Sequence, residues 1–389
     1  MRVIHIITRL IVGGAQENTL STVRGLQARH QIDVELVSGP TTGPEGSLEP
    51  EAKSLPIPFH LVPSLVRPVH PWLDLLAWRA LTLHLRQRRP DIVHTHSGKA
   101  GFLGRLAARR ARVPIVVHTI HGPSFGSFQN PVANAAFLTA ERIAVRATTH
   151  FVSVADAMTR QYVAAGIGHP DQYTRIFSGF DLNPFLQAQP RSDLRQRLGL
   201  RQEHFVIGKI ARLFALKGHD DLIAAAAPVV ARCSSARFLL VGDGAWRARL
   251  QQTINHHNLA PYFIFAGLVP PRSVPDLIAL MDVLVHLSLR EGLPRALPQA
   301  MAAGRPILAY ALDGAPEVCR DNETGFLLPP GDRSNLVSRL LQLEQDPQLR
   351  HRLGDRGRAI AQQEFSETKM TDAIHGLYRT LCARPKLSQ

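Results

Sequence analysis

The sequence predicts an α/β protein built from two parallel sheets, each with helices on both faces. Three observations carry this. Short apolar, β-branched runs alternate with amphipathic helical stretches along nearly the whole chain. The alternation comes as two successive sets, joined near residues 178–192. The length, 389 residues, is that of two or three domains. The two sets therefore read as two similar domains with a cleft between them.

The elements follow in order. Residues 3–8 read as a first strand. The opening MRVIHIITRLIVGG looks briefly like a signal peptide, but His5 and Arg9 interrupt its apolar run. A helix over 13–30 puts Leu20, Val23 and Leu26 on one face. Residues 34–38 are the next strand. Residues 40–56 are rich in Pro, Gly and acids and read as a loop. A short strand at 59–62 precedes a helix over 71–88. Strands at 91–96 and 115–121 flank a basic helix over 99–112. A long helix spans 130–149, a strand 151–155, and Asp156 reads as the N-cap of the helix that follows.

The second set places strands at 205–211, 237–241, 263–268, 283–287, 307–310 and 325–328. Helices lie between them at 218–231, 245–257, 274–281, 296–303 and 334–344. One corner stands out. The strand-like run 282–288 leads into REGLPRALPQAMAAG at 290–304, and the run 306–310 leaves it. Glu291 stands at the junction, Gly292 allows close backbone approach, and Pro294 sits at an expected first helical position. In open parallel sheets, ligands bind at the carboxyl ends of strands, facing helix N-termini.

Composition bounds the function. A hydrophobic content of 45% and a charged content of 20% fit a globular protein. No uninterrupted apolar run reaches the roughly 20 residues that span a bilayer. Cys233, Cys319 and Cys382 are far apart and match no metal spacing, so they read as reduced thiols of a cytosolic protein. The net charge of +14 favours phosphates or anionic surfaces. It is shared evenly by the two halves, so there is no basic tail. No RNA-binding motif or aromatic platform appears, and nucleic acid is not expected as a partner.

These residues resemble glycosyltransferase family 4, the retaining sugar-nucleotide transferases of GT-B fold. The resemblance rests on GGAQ at 13–16, DIVHTHSGKAGFLGRLAA at 91–108, HTIHG at 118–122 and FVSVADAM at 151–158. It continues with IARLFALKG at 210–218, LVGDG at 240–244, the 290–308 corner, DGAPEV from 313 and NETGFLLPPGD up to 332. It implies two Rossmann-like domains with parallel sheets facing across a central cleft. Their extents are 1–182 on the acceptor side and 183–365 holding the nucleotide-sugar donor. It also implies a final helix, within 366–389, that packs back on the first domain.

The resemblance implies roles residue by residue. Arg212 and Lys217 flank a strand-to-helix turn and would hold a diphosphate as the sugar leaves, an electrostatic task that often dominates catalysis. Glu291 would contact the donor sugar, with the backbone N–H groups of Gly292 and Leu293 near sugar and phosphates. The usual second Glu of the Glu-x7-Glu pattern, which takes the ribose, is Gln299 here. It keeps an acceptor oxygen and loses the charge. A working variant, a weakened enzyme and a non-catalytic binder all remain open on that point. Gly13 and Gly14 would close over the diphosphate. Gly242 and Gly244 lack the third glycine of a dinucleotide fingerprint and would shape the nucleotide side of the cleft.

His121 would face the donor sugar or the acceptor. His118 would point to the opposite sheet face, while His94 and His96 would share one face. All four could instead be hydrogen-bonded core or rim histidines. No His or acid spacing resembles a metal box, and neither metal nor cofactor is expected. Lys99, Arg105, Arg109, Arg110 and Arg112 form the basic helix. It is either a solvated face or a docking surface for anionic lipid or a polyprenyl-phosphate acceptor.

The expected reaction is retaining transfer of a sugar from a UDP- or GDP-linked donor to a hydroxyl of a saccharide or lipid-linked acceptor, as in cell-surface polysaccharide or glycolipid synthesis. The expected location is cytoplasmic, with an anionic membrane surface as a further partner. The rival readings are a non-hydrolysing sugar-nucleotide epimerase and a non-catalytic sugar-nucleotide or polyanion binder.

Overall fold

In the computed structural model the described residues are 1–383, apart from Pro44 and Ser97. The chain divides into two compact units. Unit 1 comprises Met1–Phe180 and the chain from Glu367; unit 2 comprises Asp181–Ser366.

Unit 1 contains a seven-stranded, wholly parallel sheet: β1 (Arg2–Ile7), β2 (Asp33–Ser38), β3 (Phe59–Leu61), β4 (Ile92–His96), β5 (Ile115–Ile120), β6 (His150–Ser153) and β7 (Tyr173–Arg175). The spatial order is β3-β2-β1-β4-β5-β6-β7, so the direction of winding reverses between β1 and β4. Its helices are α1 (Gly14–His30), α2 (Glu49–Ser54), α3 (Pro71–Arg88), α4 (Gly98–Ala111), α5 (Pro131–Ala144) and α6 (Asp156–Ala164).

Both faces of this sheet are covered, which is why its strands read as near-continuous apolar runs. The period of two sorts their side chains. Val3 and Ile7 pack with Leu20, Val23 and Leu26 of α1. Ile4 and Ile6 pack with Ala77, Leu81 and Leu85 of α3 and with Leu103 and Ala107 of α4.

Unit 2 contains a six-stranded parallel sheet of β8 (Phe205–Ile210), β9 (Ala236–Val241), β10 (Phe263–Gly267), β11 (Val283–His286), β12 (Ile307–Tyr310) and β13 (Gly325–Leu328). The order is β10-β9-β8-β11-β12-β13, with the reversal between β8 and β11. Its helices include α7 (His219–Arg232), α8 (Arg247–His256), α9 (Val274–Ala279), α10 (Ala296–Ala302), α11 (Arg333–Gln345) and α12 (Pro347–Glu364). Leu222, Ala226 and Val229 of α7 and Leu336 and Leu340 of α11 belong to its main core.

The last helix, α13 (Glu367–Ala383), belongs to unit 1 and packs on α1. A methyl on Gly25 would meet Thr371 Oγ1 at 2.6 Å, so the two helices approach closely. Glu367 pairs with Arg24 at 2.8 Å, and Tyr378 and Leu381 enter the core. The rest of the expected 366–389 helix, residues 384–389, lies outside the described residues.

Several local expectations change. The expected loop 40–56 contains α2, where Pro50 sits in the first turn with Glu49 and Glu51, and Ala52 is buried. Acids and an early proline suit a helix start, and those signals were overridden by composition. Asp156 is the first residue of α6 rather than its cap; Ala155 occupies the cap position. The expected 130–149 helix ends at Ala144 and passes into a 3-10 turn. There the Thr148 hydroxyl takes the Ala144 carbonyl, 2.9 Å away, and Thr149 Oγ1 accepts from Val116 N–H at the sheet. No element was expected at 345–365, where α12 forms. Its start signals were present: Asp346 accepts from Leu349 N–H at 2.8 Å, and Pro347 opens the helix.

Candidate active site

In unit 2 the site is built where the sheet order reverses. β8 and β11 are neighbours, and the loops leaving their carboxyl ends carry Arg212–Lys217 and Glu291. This is the position where open parallel sheets bind ligands. Lys217 Nζ donates to Glu291 Oε1 at 2.5 Å. His286, on β11, brings Nε2 to 3.5 Å from the same oxygen. The Glu291 N–H donates to Asp313 Oδ2 at 2.7 Å. Backbone bonds join the two loops, with Leu289 N–H donating to the Leu216 carbonyl at 2.8 Å.

Gly218 shows why this loop needs glycine. Its φ is 65°, and a Cβ there would sit 2.0 Å from the Leu287 carbonyl oxygen. The chain after Lys217 is therefore pressed against the end of β11, which sets the lysine opposite Glu291.

The electrostatics decide what Glu291 can do. Burial alone would push its carboxyl up. His286 and Lys217 outweigh that and hold it well below the usual carboxylate range. Glu291 is thus an anion at neutral pH, an acceptor of hydrogen bonds and not a general acid. It does not cap the next helix either, because α10 begins only at Ala296. Pro294 consequently lies before the helix rather than at its first position.

Arg212 is exposed, with its guanidinium 5.3 Å from the Phe214 ring centroid. Its carbonyl accepts from His219 Nε2 at 3.0 Å. Gly242 and Gly244 support this loop from beside it. Gly242 has φ 131°, and a Cβ would come within 2.2 Å of the Ala211 carbonyl oxygen. Leu213 N–H donates to the Asp243 carbonyl at 3.0 Å. These glycines therefore fit by letting backbone pass behind Arg212. Leu293 is buried at 7% exposure, so only its backbone could face a ligand. The Gly292 carbonyl accepts from Gly314 N–H at 3.1 Å. Gln299 lies partly exposed on α10.

Sequence reasoning missed Lys209, on β8. It is 1% exposed and its Nζ makes no hydrogen bond within the protein. Burial first, and then the Lys217 charge, bring its ammonium down to about 7. It also missed His286, although that residue lies within the strand-like run 282–288 leading to the corner.

In unit 1, Gly13 is the N-cap of α1 and Gly14 its first residue, in the connection after β1. His121 follows β5 directly, and its Nε2 lies 3.0 Å from His96 Nδ1. His118 points to the other face, where its Nδ1 meets Thr95 Oγ1 at 2.9 Å. Its ring lies 2.4 Å from where a Gly101 Cβ would stand, which explains the glycine in α4.

One expectation is corrected. Arg105 is not on a basic surface. It is fully buried and donates to Glu141 Oε2 at 2.6 Å. Lys99 is paired with Asp74. Only Arg109, Arg110 and Arg112 of the basic set are exposed. Further, histidines do gather in a metal-like group: His5, His94 and His96 each bring one ring nitrogen within 4.8 Å of the others. The spacing concealed this because His5 lies on a different strand, in register with His94.

Comparison with known proteins matches the chain to a family. The family model described as glycosyl transferases group 1 matches residues 190–360, and the glycosyl transferase 4-like domain matches residues 13–177. The chain is 28% identical over 385 residues to an Escherichia coli UDP-Gal:alpha-D-GlcNAc-diphosphoundecaprenol alpha-1,3-galactosyltransferase, covering 97% of this chain and 96% of that one. It is 31% identical over 313 residues to EpsD of Bacillus subtilis, named as a glycosyltransferase, covering 78% of this chain and 80% of that one. Among solved structures, Anabaena Alr3699/HepE in complex with UDP-glucose superposes with a TM-score of 0.81 at 23% identity, over 98% of this chain and 100% of that one. The chain belongs to the group 1 glycosyltransferases, with a family 4-like N-terminal domain and the GT-B fold.

Proposed function

We propose that this glycosyltransferase moves a hexose or N-acetylhexosamine from a UDP-linked donor to a hydroxyl of a lipid-linked saccharide, with retention at the anomeric carbon and without a metal. The observation that carries the reading is the ion pair between Lys217 and Glu291 at the β8/β11 reversal, with Arg212 in the same loop.

The two cations would meet the diphosphate and stabilise it as it leaves. Glu291, ionised and held from both sides, would accept from donor-sugar hydroxyls and fix the ring. The departing diphosphate would take the acceptor's proton, because Glu291, held well below the usual carboxylate range, is too weak a base to take it. Gln299 would offer its amide to the ribose hydroxyls, which both donate and accept. Gly13, Gly14 and His121 would act from unit 1. The full-length likeness to a transferase named for UDP-galactose and a diphosphoundecaprenol acceptor supports both the base and the acceptor class.

The lipid-linked acceptor has further support in unit 1. Trp72, Leu76, Arg79, Leu83 and Arg86 recur at spacings of four and three along α3 and are all exposed, so they share one face. Apolar and basic side chains on one helix face suit an anionic membrane surface. Among the described residues no helix is long and apolar enough to cross a membrane. In this reading the exposed face of α3 holds the enzyme to the membrane surface as a peripheral protein of the cytoplasmic side.

The test is a thermal-shift panel of UDP, GDP, ADP and their sugars, followed by transfer to a polyprenyl-diphosphate sugar in the presence of a chelator. Stabilisation by UDP and its sugars and an α-configured product from an α-donor are expected. A β-configured product would overturn retention, and activity restored only by magnesium would overturn metal independence. No nucleotide response at all would remove the transferase reading of this site.

A further inference from the structure

One face of the unit 1 sheet carries a row of histidines, of which the proposed reaction uses only the last. His5 and His94 are register partners across β1 and β4, and His96 lies two residues on, on the same face. All three are buried to 1% exposure or less. Tyr378 of α13 comes down between them.

A continuous string of hydrogen bonds joins these groups. Thr119 Oγ1 lies 2.6 Å from His94 Nε2, and His94 Nδ1 lies 2.5 Å from the Tyr378 hydroxyl. That hydroxyl is 3.3 Å from His5 Nε2. His5 Nδ1 is 2.9 Å from His96 Nε2, and His96 Nδ1 is 3.0 Å from His121 Nε2.

A neutral imidazole has one proton for two nitrogens, so one nitrogen donates and the other accepts. Burial keeps these rings neutral, bringing His5 down to about 3 and holding His94 and His96 well below the usual histidine range. Each imidazole passes the direction on, and the buried Tyr378 hydroxyl does so too when its single proton is not left without an acceptor: it accepts from one ring and donates to the other, so the direction of any bond then fixes all the others. Two orderings satisfy the whole string. In one, Thr119 donates, His121 Nε2 accepts, and His121 Nδ1 carries the hydrogen. In the other, every bond is reversed and His121 Nδ1 is an acceptor.

We propose that Tyr378, His5 and His96 form a relay that sets which ring nitrogen of His121 carries its proton. The proposal rests on the reading of His121 as the unit 1 residue that meets the donor sugar or acceptor. The relay members are positioning residues. A sugar hydroxyl facing His121 needs the complementary role on the ring, and a fixed tautomer supplies it before the substrate arrives.

The rival for these rings is a metal centre. Tetrahedral zinc with bonds of about 2.0–2.1 Å would set ligand nitrogens roughly 3.3 Å apart. The His5–His96 separation is shorter, at 2.9 Å, and both nitrogens of His5, His94 and His96 already have partners. The geometry fits the relay better.

The experiment is long-range proton–nitrogen NMR on the full chain labelled with 15N-histidine, for wild type, Tyr378→Phe and a control, Leu381→Val, on the same helix. Wild type should show His121 in one tautomer. Tyr378→Phe should give a mixture or the opposite tautomer, although three hydrogen bonds of the string separate Tyr378 from His121, with a several-fold fall in kcat at unchanged donor KM. Leu381→Val should lower the melting temperature and leave His121 unchanged. An unaltered His121 signal in Tyr378→Phe would overturn the relay. So would one equivalent of zinc ion bound by wild type and lost in His5→Gln. Full activity in His121→Ala would remove the catalytic reading of His121 while leaving the tautomer coupling measurable.

Discussion

Lys217 Nζ and Glu291 Oε1 stand 2.5 Å apart and tie the loop after β8 to the loop after β11. Neither residue is near the other in sequence. The pair exists because the sheet order places those two strand ends side by side. Transfer should therefore fall by about 10²-fold or more in Lys217→Ala and in Glu291→Gln, as for loss of a charge-stabilising group. Steady-state transfer assays, with circular dichroism to check the fold, read this. Activity within threefold of wild type in both variants would remove the pair from the reaction.

The same pair gives an acid dependence. Burial would raise the Glu291 carboxyl, but His286 and Lys217 hold it below the ordinary 4.5. Between the folded and unfolded values the unfolded chain binds the proton and the folded chain does not. The stabilisation is thus full above about 4.5 and is lost as pH falls toward the folded value. Urea unfolding at pH 6 and pH 3.5 should show a smaller acid loss for Glu291→Gln than for wild type. Equal losses would mean that the carboxylate is not held in this way.

Lys209 acts in the opposite sense. Its ammonium falls from 10.5 to about 7 through burial and the Lys217 charge. Below pH 7 both states are charged and the folded protein bears the whole penalty. Between 7 and 10.5 folding releases a proton, so stability rises with pH. Lys209→Met should stabilise, by at most about 5 kcal/mol near pH 6, and by progressively less toward pH 10. Melting temperatures at pH 6 and pH 9.5 test this. A variant less stable at pH 6 would show that Nζ has a partner of real strength.

Arg105 and its basic neighbours on and just after α4 should separate cleanly. Removing Arg105 strands the buried Glu141 carboxylate, which costs about 3–5 kcal/mol. Changing Arg109, Arg110 and Arg112 together to Ser should move stability by only about 1 kcal/mol, because all three are exposed. Denaturant midpoints read both effects. Sedimentation with phosphatidylglycerol vesicles tests the membrane face: binding should weaken in the triple Ser variant, and further with Trp72→Ser and Leu83→Ser. Unchanged vesicle binding would remove the membrane face.

Gln299→Glu restores the charge that the family pattern usually carries. If the amide serves the ribose as it stands, donor affinity measured by calorimetry should change by less than about tenfold, about 1.4 kcal/mol. A larger gain would show that the present residue weakens donor binding.

The sequence by itself determined the two parallel sheets, because strands buried on both faces must be apolar runs and their helices must be amphipathic. It also marked the site loops, since cations, an acid and glycines at strand ends leave a local pattern. Missed elements such as α12 and β7 lay where that pattern was weak or short. Only the tertiary structure decided charge and partnership. Arg105 looks like any surface arginine until Glu141 is found beside it. Glu291 looks like any acid at a strand-to-helix junction until Lys217 and His286 close on it. His5 shows no link to His94 until register sets the two side by side. Each of these depends on groups far apart in the chain, and the low dielectric that gives them force exists only once the core has closed.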